Sequence, residues 1–276
     1  MRNLSVRDLA GLSREQAELE IRARVQTVYI GEKRVLSRIL GGPKIYLSTD
    51  DVGFAGHLML DGYWEIWLTL FMSRLVRPGM TVVDVGANFG YYSLLFGEAV
   101  GPNGRVVAVE PAPSTARLLA LSLELNGYSR STALHEVALG RNASGEAHFY
   151  IPPHEPKNAL VIAAARPDSI KVKATNLDTL LDAYDRVDLI KIDAEGAELD
   201  IVGGMEAVVA RHEPLVVLEF NAHRYRDARA FLSKLRGLFK RIRVLRFDGG
   251  LADVADHELL DPGDREDVIL VLEARP

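Results

Sequence analysis

The sequence predicts an α/β protein built on a mostly parallel, doubly wound sheet. Short apolar runs recur near 81–85, 105–110, 133–139, 187–193 and 214–220, and segments of helical length separate them. Val82–Gly90 (Val-Val-Asp-Val-Gly-Ala-Asn-Phe-Gly) reads as a buried strand followed by a glycine-containing turn into a helix. The next run, Arg105–Val109, ends in Glu110, about twenty residues past the turn, where a nucleotide-binding unit carries the carboxylate that accepts ribose hydroxyls.

Taken in order, residues 1–40 read as helices. Ser13 is a plausible N-cap with Gln16 three positions on, and Gly41-Gly42-Pro43 ends the run. Lys44–Ser48 suits a short strand. Gly62–Val76 is expected as a helix with Trp64, Trp67, Leu68, Phe71 and Leu75 on one stripe against the first strand, and Arg77-Pro78-Gly79 as the turn into that strand. Helices are expected near 90–99, 113–126, 196–210 and 224–238. Glu146–Ile151 and Ile170–Ala174 read as two short strands framing Pro152–Asp168, a proline-rich segment long enough to serve as a substrate lid. Residues 1–76 thus form a helical N-terminal appendage, and 77–276 the main domain with an insertion around 145–175.

The turn narrows the ligand. It lacks the second glycine of Gly-x-Gly-x-x-Gly, since Ala87 stands there, and no Gly-Lys-Ser/Thr follows, which excludes a P-loop phosphate cradle. A pyrophosphate wants exposed amides and no adjacent carboxylate, yet Asp84 stands beside this loop. A ligand with a cationic segment fits better, and S-adenosylmethionine, with its sulfonium and amino-acid tail, is one. Gly86 and Gly90 are expected to let the backbone approach it. Asp84 alternatively braces the turn.

Four elements then occur in order: Val83–Gly90, Val109–Pro113, Thr175–Asp178 (Thr-Asn-Leu-Asp) and Leu189–Glu198 (Leu-Ile-Lys-Ile-Asp-Ala-Glu-Gly-Ala-Glu). Together they resemble the FkbM-type family of S-adenosylmethionine-dependent methyltransferases, over approximately residues 45–222. The resemblance implies a seven-stranded Rossmann-like sheet closed by an antiparallel C-terminal hairpin, Arg241–Phe247 with Asp267–Glu273. It also implies O-methylation of a hydroxyl on a sugar or secondary metabolite. N-methylation of an amide or peptide side chain, and a non-catalytic cofactor-binding partner protein, are the rival readings.

The expected cofactor-binding residues are Asp84, Gly86, Ala87, Asn88, Gly90, Glu110 and Pro111, with Glu136, Val137 and Ala138 near the adenine and Asp193 at the methyl end. Lys191 and Asp193 share one strand face, opposite Ile190 and Ile192. Lys191, Asp193, Glu195, Glu219 and His223 are the catalytic candidates, His223 for its near-neutral titration. Glu195 and Glu198 also suit the start of a helix, where carboxylates stabilise the dipole. Asp193, Glu219 and Asn221 offer oxygen ligands for a divalent ion such as Mg2+.

Net charge is −5 with a pI near 5.8, and no Lys/Arg-rich run occurs, which disfavours a nucleic acid partner. Arg224, Arg226 and Arg229 read as a solvated helix face. The absence of cysteine removes disulfides, zinc–thiolate sites and cysteine nucleophiles, and fits a reducing cytoplasm. Leu58–Val76 is apolar but broken by Asp61, Glu65 and Arg74, so no membrane span is expected. The N-terminal appendage is a candidate surface for homodimer contacts.

Overall fold

A computed structural model describes residues 2–142, 144–152, 160–162, 165–261 and 267–274. The central sheet has eight strands. β4 (Thr81–Val85), β5 (Arg105–Val109), β6 (Thr132–His135), β11 (Leu189–Ile192) and β12 (Leu215–Phe220) run parallel in the order β6-β5-β4-β11-β12. β15 (Val268–Glu273) pairs antiparallel between β12 and β13 (Arg241–Leu245), and β14 (Leu251–Asp253) adds an edge beyond β13. The expected antiparallel closure by β13 and β15 is therefore present, with one strand more than the expected seven. The sheet order reverses at β4 and β11, so the crevice at their carboxyl ends is where such folds hold ligands.

Both faces of this sheet are covered, and period-two alternation sorts the strand residues between two cores. Val82, Val106, Leu189, Val217 and Val271 pack to one side, Val83, Val107, Ile190, Val216 and Leu270 to the other. Helices α5 (Tyr91–Val100) and α6 (Pro113–Leu125) serve the first side. The second is covered by α8 (Glu198–Gly203), α9 (Glu206–His212) and α10 (Ala228–Leu238). The single helix expected over 196–210 is thus two, broken at Gly204 and Met205, where Gly204 passes so close to the Gly140 carbonyl oxygen that a Cβ would lie 2.2 Å from it.

The N-terminal region departs from its helical expectation. Two helices, α1 (Val6–Ala10) and α2 (Arg14–Arg22), are present, and Ser13 caps α2 in a capping box with Gln16. Between Thr27 and Ser48, however, the chain forms an antiparallel meander of β1 (Thr27–Gly31), β2 (Arg34–Arg38) and β3 (Lys44–Ser48). α3 (Phe54–Leu60) and α4 (Ile66–Leu75) follow. Val6, Leu9, Ile21, Ile45, Leu58 and Met72 belong to the same core as Leu94, Leu95 and Leu119, so this region is packed into the sheet layer. The fully buried flank of α4 includes Leu68, Met72 and Thr69; Trp64, Trp67 and Phe71 are only half-buried.

The insertion forms a separate four-stranded sheet. β8 (Ser144–Tyr150) pairs antiparallel with β10 (Ser169–Thr175) and with β9 (Leu160–Ile162), and β7 (Ala138–Leu139) runs parallel to β10. Of the expected lid, residues 153–159 and 163–164 lie outside the described residues. Thr175–Asp178 turns out to be a brace: Asn176 caps the short helix Leu177–Leu180, and Asp178 accepts the Val208 amide at 2.8 Å. Among the described residues no helix is long and apolar enough to cross a membrane.

Candidate active site

The carboxyl ends of β4, β5, β11 and β12 open into one cleft of about 1260 Å³, its mouth included. The loop after β4 forms its floor. The amides of Gly86 and Ala87 both donate to the Val109 carbonyl (3.1 and 3.0 Å), and Asn88 adopts φ +51. The glycines here are required by the protein's own packing, and Gly86 also lines the cleft. A Cβ on Gly86 (φ +73) would lie 1.7 Å from the Asp193 carbonyl oxygen, and one on Gly90 (φ +99) 2.3 Å from Leu119 Cδ1. Gly86 therefore lets β4 and β11 end side by side, which brings Asp193 to the loop.

At one end of the cleft stands Glu110, 7% exposed. Its Oε2 accepts the Asn88 amide and its Oε1 the Ala112 amide, both at 2.9 Å. Burial pushes its carboxyl up to about 7, against the pull of those two amides. Pro111, Thr115, Val137, Ala138 and Leu139 line the same end. Glu136 does not: it is exposed and lies off the cleft, because β6 ends at His135 and the next residue turns outward before β7.

The other end is rich in carboxylates. Asp193, Glu195, Glu219, Asp267 and Glu65 line it together with two cations, Lys191 and Arg224. Lys191 Nζ lies 3.2 Å from Asp193 Oδ2 and 3.8 Å from Asp84 Oδ1. Burial pulls this lysine down, but Asp193 and Asp84 together raise it above the ordinary lysine range, so it stays charged. Arg224 reaches Glu219 (2.7 Å), Glu195 (3.2 Å) and Asp267 (3.3 Å). Burial, then crowding by Asp193 and Asp267, raises the Glu219 carboxyl despite Arg224.

Several expected site residues stand elsewhere. Asp84 is fully buried beneath the loop, where Ser93 Oγ donates to it at 2.6 Å; it is the counter-charge of Lys191 and does not face the cleft. Gly90 starts α5 behind the loop. Glu198 is also fully buried, accepting the Ala194 and Gly196 amides and the Tyr225 hydroxyl, so it shapes the turn after β11. His223 is exposed and outside the cleft, which removes it as a base. Asn221 is committed to its neighbours: its Nδ2 donates to Asp267 and its Oδ1 accepts the His223 amide. With Glu219 tied to Arg224 as well, Asp193, Glu219 and Asn221 do not fit a Mg2+ site. Among the described residues no three His, Cys, Asp or Glu side chains converge as a metal-binding group.

The sequence reading also missed residues. Arg224, expected on a solvated face with Arg226 and Arg229, instead organises three carboxylates. Glu65 and Trp64 reach the cleft from the N-terminal region beside Phe54. The signal for Glu65 was present in the chain: a lone carboxylate at the head of an apolar helix, where it opens α4 at φ +40 and caps nothing.

The family model for the methyltransferase FkbM domain matches residues 84–248, more than half of the chain and the whole segment from the β4 loop to β13. The chain belongs to the FkbM methyltransferase family. Among curated relatives of this family member, protein-L-isoaspartate O-methyltransferase of Aeropyrum pernix is 41% identical over 91 residues, 33% of this chain and 32% of that protein. Methyltransferase 1 of Beauveria bassiana is 30% identical over 148 residues, 45% of this chain and 58% of that protein. The chain thus spans from about a third to under two thirds of the first curated relatives it matches. Among solved structures, methyltransferase FkbM of Methylobacillus flagellatus superposes with a TM-score of 0.47 at 15% identity, over 75% of this chain and 53% of that one.

Proposed function

We propose that this FkbM-family protein transfers a methyl group from S-adenosylmethionine to a hydroxyl of a small molecule. The observation that carries the reading is a single cleft with a buried ribose-type carboxylate, Glu110, at one end and a surplus of carboxylates at the other. Each Glu110 oxygen accepts one amide and keeps a lone pair for a ribose hydroxyl. Val137, Ala138 and Leu139 supply an apolar wall for a base. When bound, the cofactor supplies a methyl group on a cationic sulfur, already activated for displacement. Even with the raised Glu219 carboxyl protonated, Asp193, Glu195, Asp267 and Glu65 against Lys191 and Arg224 leave the far end net negative, which suits that cation.

The same charge speaks about the acceptor. An acidic acceptor would be repelled by Asp193 and Glu65, whereas a neutral hydroxyl compound enters without that cost and meets groups able to take its proton. Asp193 is held by Lys191 through its side chain and by the Val85 carbonyl through its amide. Sugars and hydroxylated natural products are the acceptors of choice. Methyl-labelled S-adenosylmethionine incubated with a panel of such compounds, followed by mass spectrometry of the products, tests the reading. O-methylated product is expected. Label found only on nitrogen, or no transfer while the cofactor binds, would overturn it.

A further inference from the structure

Resting on the hydroxyl-transfer reading, we propose that Glu65, contributed by the N-terminal region, is the general base that takes the acceptor's proton.

The other cleft carboxylates are already engaged. Asp193 has Lys191 at 3.2 Å, and Glu219, Glu195 and Asp267 share Arg224 at 2.7–3.3 Å. A proton arriving on Asp193, Glu195 or Asp267 would break a charge pair, and Glu219, raised by burial and by Asp193 to about 9, already holds its proton near neutral pH. Asp84 is sealed below the loop, and Glu110 holds two amides at the ribose end. Among the described residues Glu65 is the cleft carboxylate at the acceptor end that belongs to no ion pair. Its bonded neighbour is the Tyr92 hydroxyl, donating to Oε2 across a long 3.4 Å. The groups around it are Lys191 from β11, Asp193 just past its end, Tyr91 and Tyr92 from α5, and Asp267 ahead of β15.

Two further observations place Glu65 where an acceptor enters. It occupies a left-handed conformation (φ +40, ψ +65) that a non-glycine residue adopts at a cost, and its side chain makes no cap bond that would explain the strain. It also borders a second surface cavity, which Trp67, Phe247, Val268 and Asp267 line on the other side. Glu65 and Asp267 are common to both cavities, so together they form a threshold between the cleft and an outer aromatic groove. An acceptor lying in that groove would present its hydroxyl at this threshold. Burial, reinforced by Asp193, raises the Glu65 carboxyl to about 7, matched to taking a proton near neutral pH.

The step balances on these atoms. The acceptor oxygen bonds to the methyl carbon, the carbon–sulfur bond breaks with its pair passing to sulfur, and the hydroxyl proton moves to a Glu65 oxygen. The sulfonium loses its charge and the carboxylate is neutralised, so the net charge of the reacting set is unchanged.

The test uses the full chain and its Glu65→Gln variant. First, carboxyl-carbon NMR follows Glu65 without cofactor or acceptor: a titration with midpoint near pH 7, missing in the variant, is expected. A midpoint below about 5, the range of an ordinary glutamate, would overturn the proposal. Second, methyl transfer is measured to phenol and to 4-nitrophenol, which ionises near neutrality unaided. Glu65→Gln is expected to slow transfer to phenol roughly 100-fold or more, while the nitrophenolate, relieved of the Glu65 charge, reacts no slower and cofactor affinity falls by no more than a few-fold. Equal slowing of both, or of neither, overturns the assignment, as does lost cofactor binding. Failure of wild type to methylate any hydroxyl compound with the cofactor bound would instead overturn the underlying reading, and with it this step.

Discussion

Replacing Asp84 by Asn tests whether the buried charges beneath the cleft hold one another. The substitution keeps the shape and an acceptor for Ser93 Oγ, but removes the charge facing Lys191. At 3.8 Å, and with an effective dielectric of about 20, the attraction lost is about 4 kcal/mol. Removing the carboxylate also relieves its own burial, and Asp193 still holds Lys191 at 3.2 Å. The net loss should be about 2–3 kcal/mol, below the roughly 3–5 kcal/mol of a buried charge stripped of its partner. For a chain of this size that lowers the melting temperature by roughly 5–10 °C. Urea unfolding of Asp84→Asn, Lys191→Met and the double variant closes the cycle. The double variant should recover about 2 kcal/mol relative to Lys191→Met, because Asp84 is no longer stranded, whereas Asp193 lacks Lys191 in both. A single Asp84→Asn change costing under about 0.5 kcal/mol, or a double variant no better than the worse single one, would refute the pairing.

Two other outcomes follow from the loop. Gly86→Ala should cost roughly 2–5 kcal/mol, combining overpacking with the left-handed backbone, because its Cβ would meet the Asp193 carbonyl oxygen at 1.7 Å; a loss below about 1 kcal/mol in urea would contradict that contact. Glu110 is a carboxyl raised from 4.5 to about 7, so the folded state binds its proton more tightly than the unfolded chain. Stability from this group is in place below about pH 4.5 and is lost as pH rises through 7, about 3 kcal/mol in all. Wild type should therefore lose stability relative to Glu110→Gln between pH 5 and 8, and a gain would refute the shift.

The sheet and the Glu110 end of the cleft were legible in the chain because buried parallel strands read as nearly unbroken Val/Ile/Leu runs. Val82–Val85 and Leu189–Ile192 are such runs, with a glycine turn or an acid at the end. The meander over 27–48 was not, because β1 is exposed nearly throughout and shows no alternation, while its hairpin turns on positive φ at Gly31, Glu32 and Lys33. Glu65 resembled an interruption of an apolar helix, and only the three-dimensional approach of α4 to β11 turns it into a cleft residue. His223 failed for the opposite reason: adjacency in sequence to Glu219 and Asn221 did not survive the turn after β12, which points it to solvent. Asp84 lies beneath the loop against Lys191, and Gly86 lies in it against the Asp193 carbonyl.

The most direct measurement is calorimetric titration of the protein with S-adenosylmethionine, beside Glu110→Ala. Saturable binding is expected, weakened roughly 10–100-fold in the variant, the worth of a hydrogen-bonded charge. No binding, or binding indifferent to Glu110, would contradict the account of the cleft.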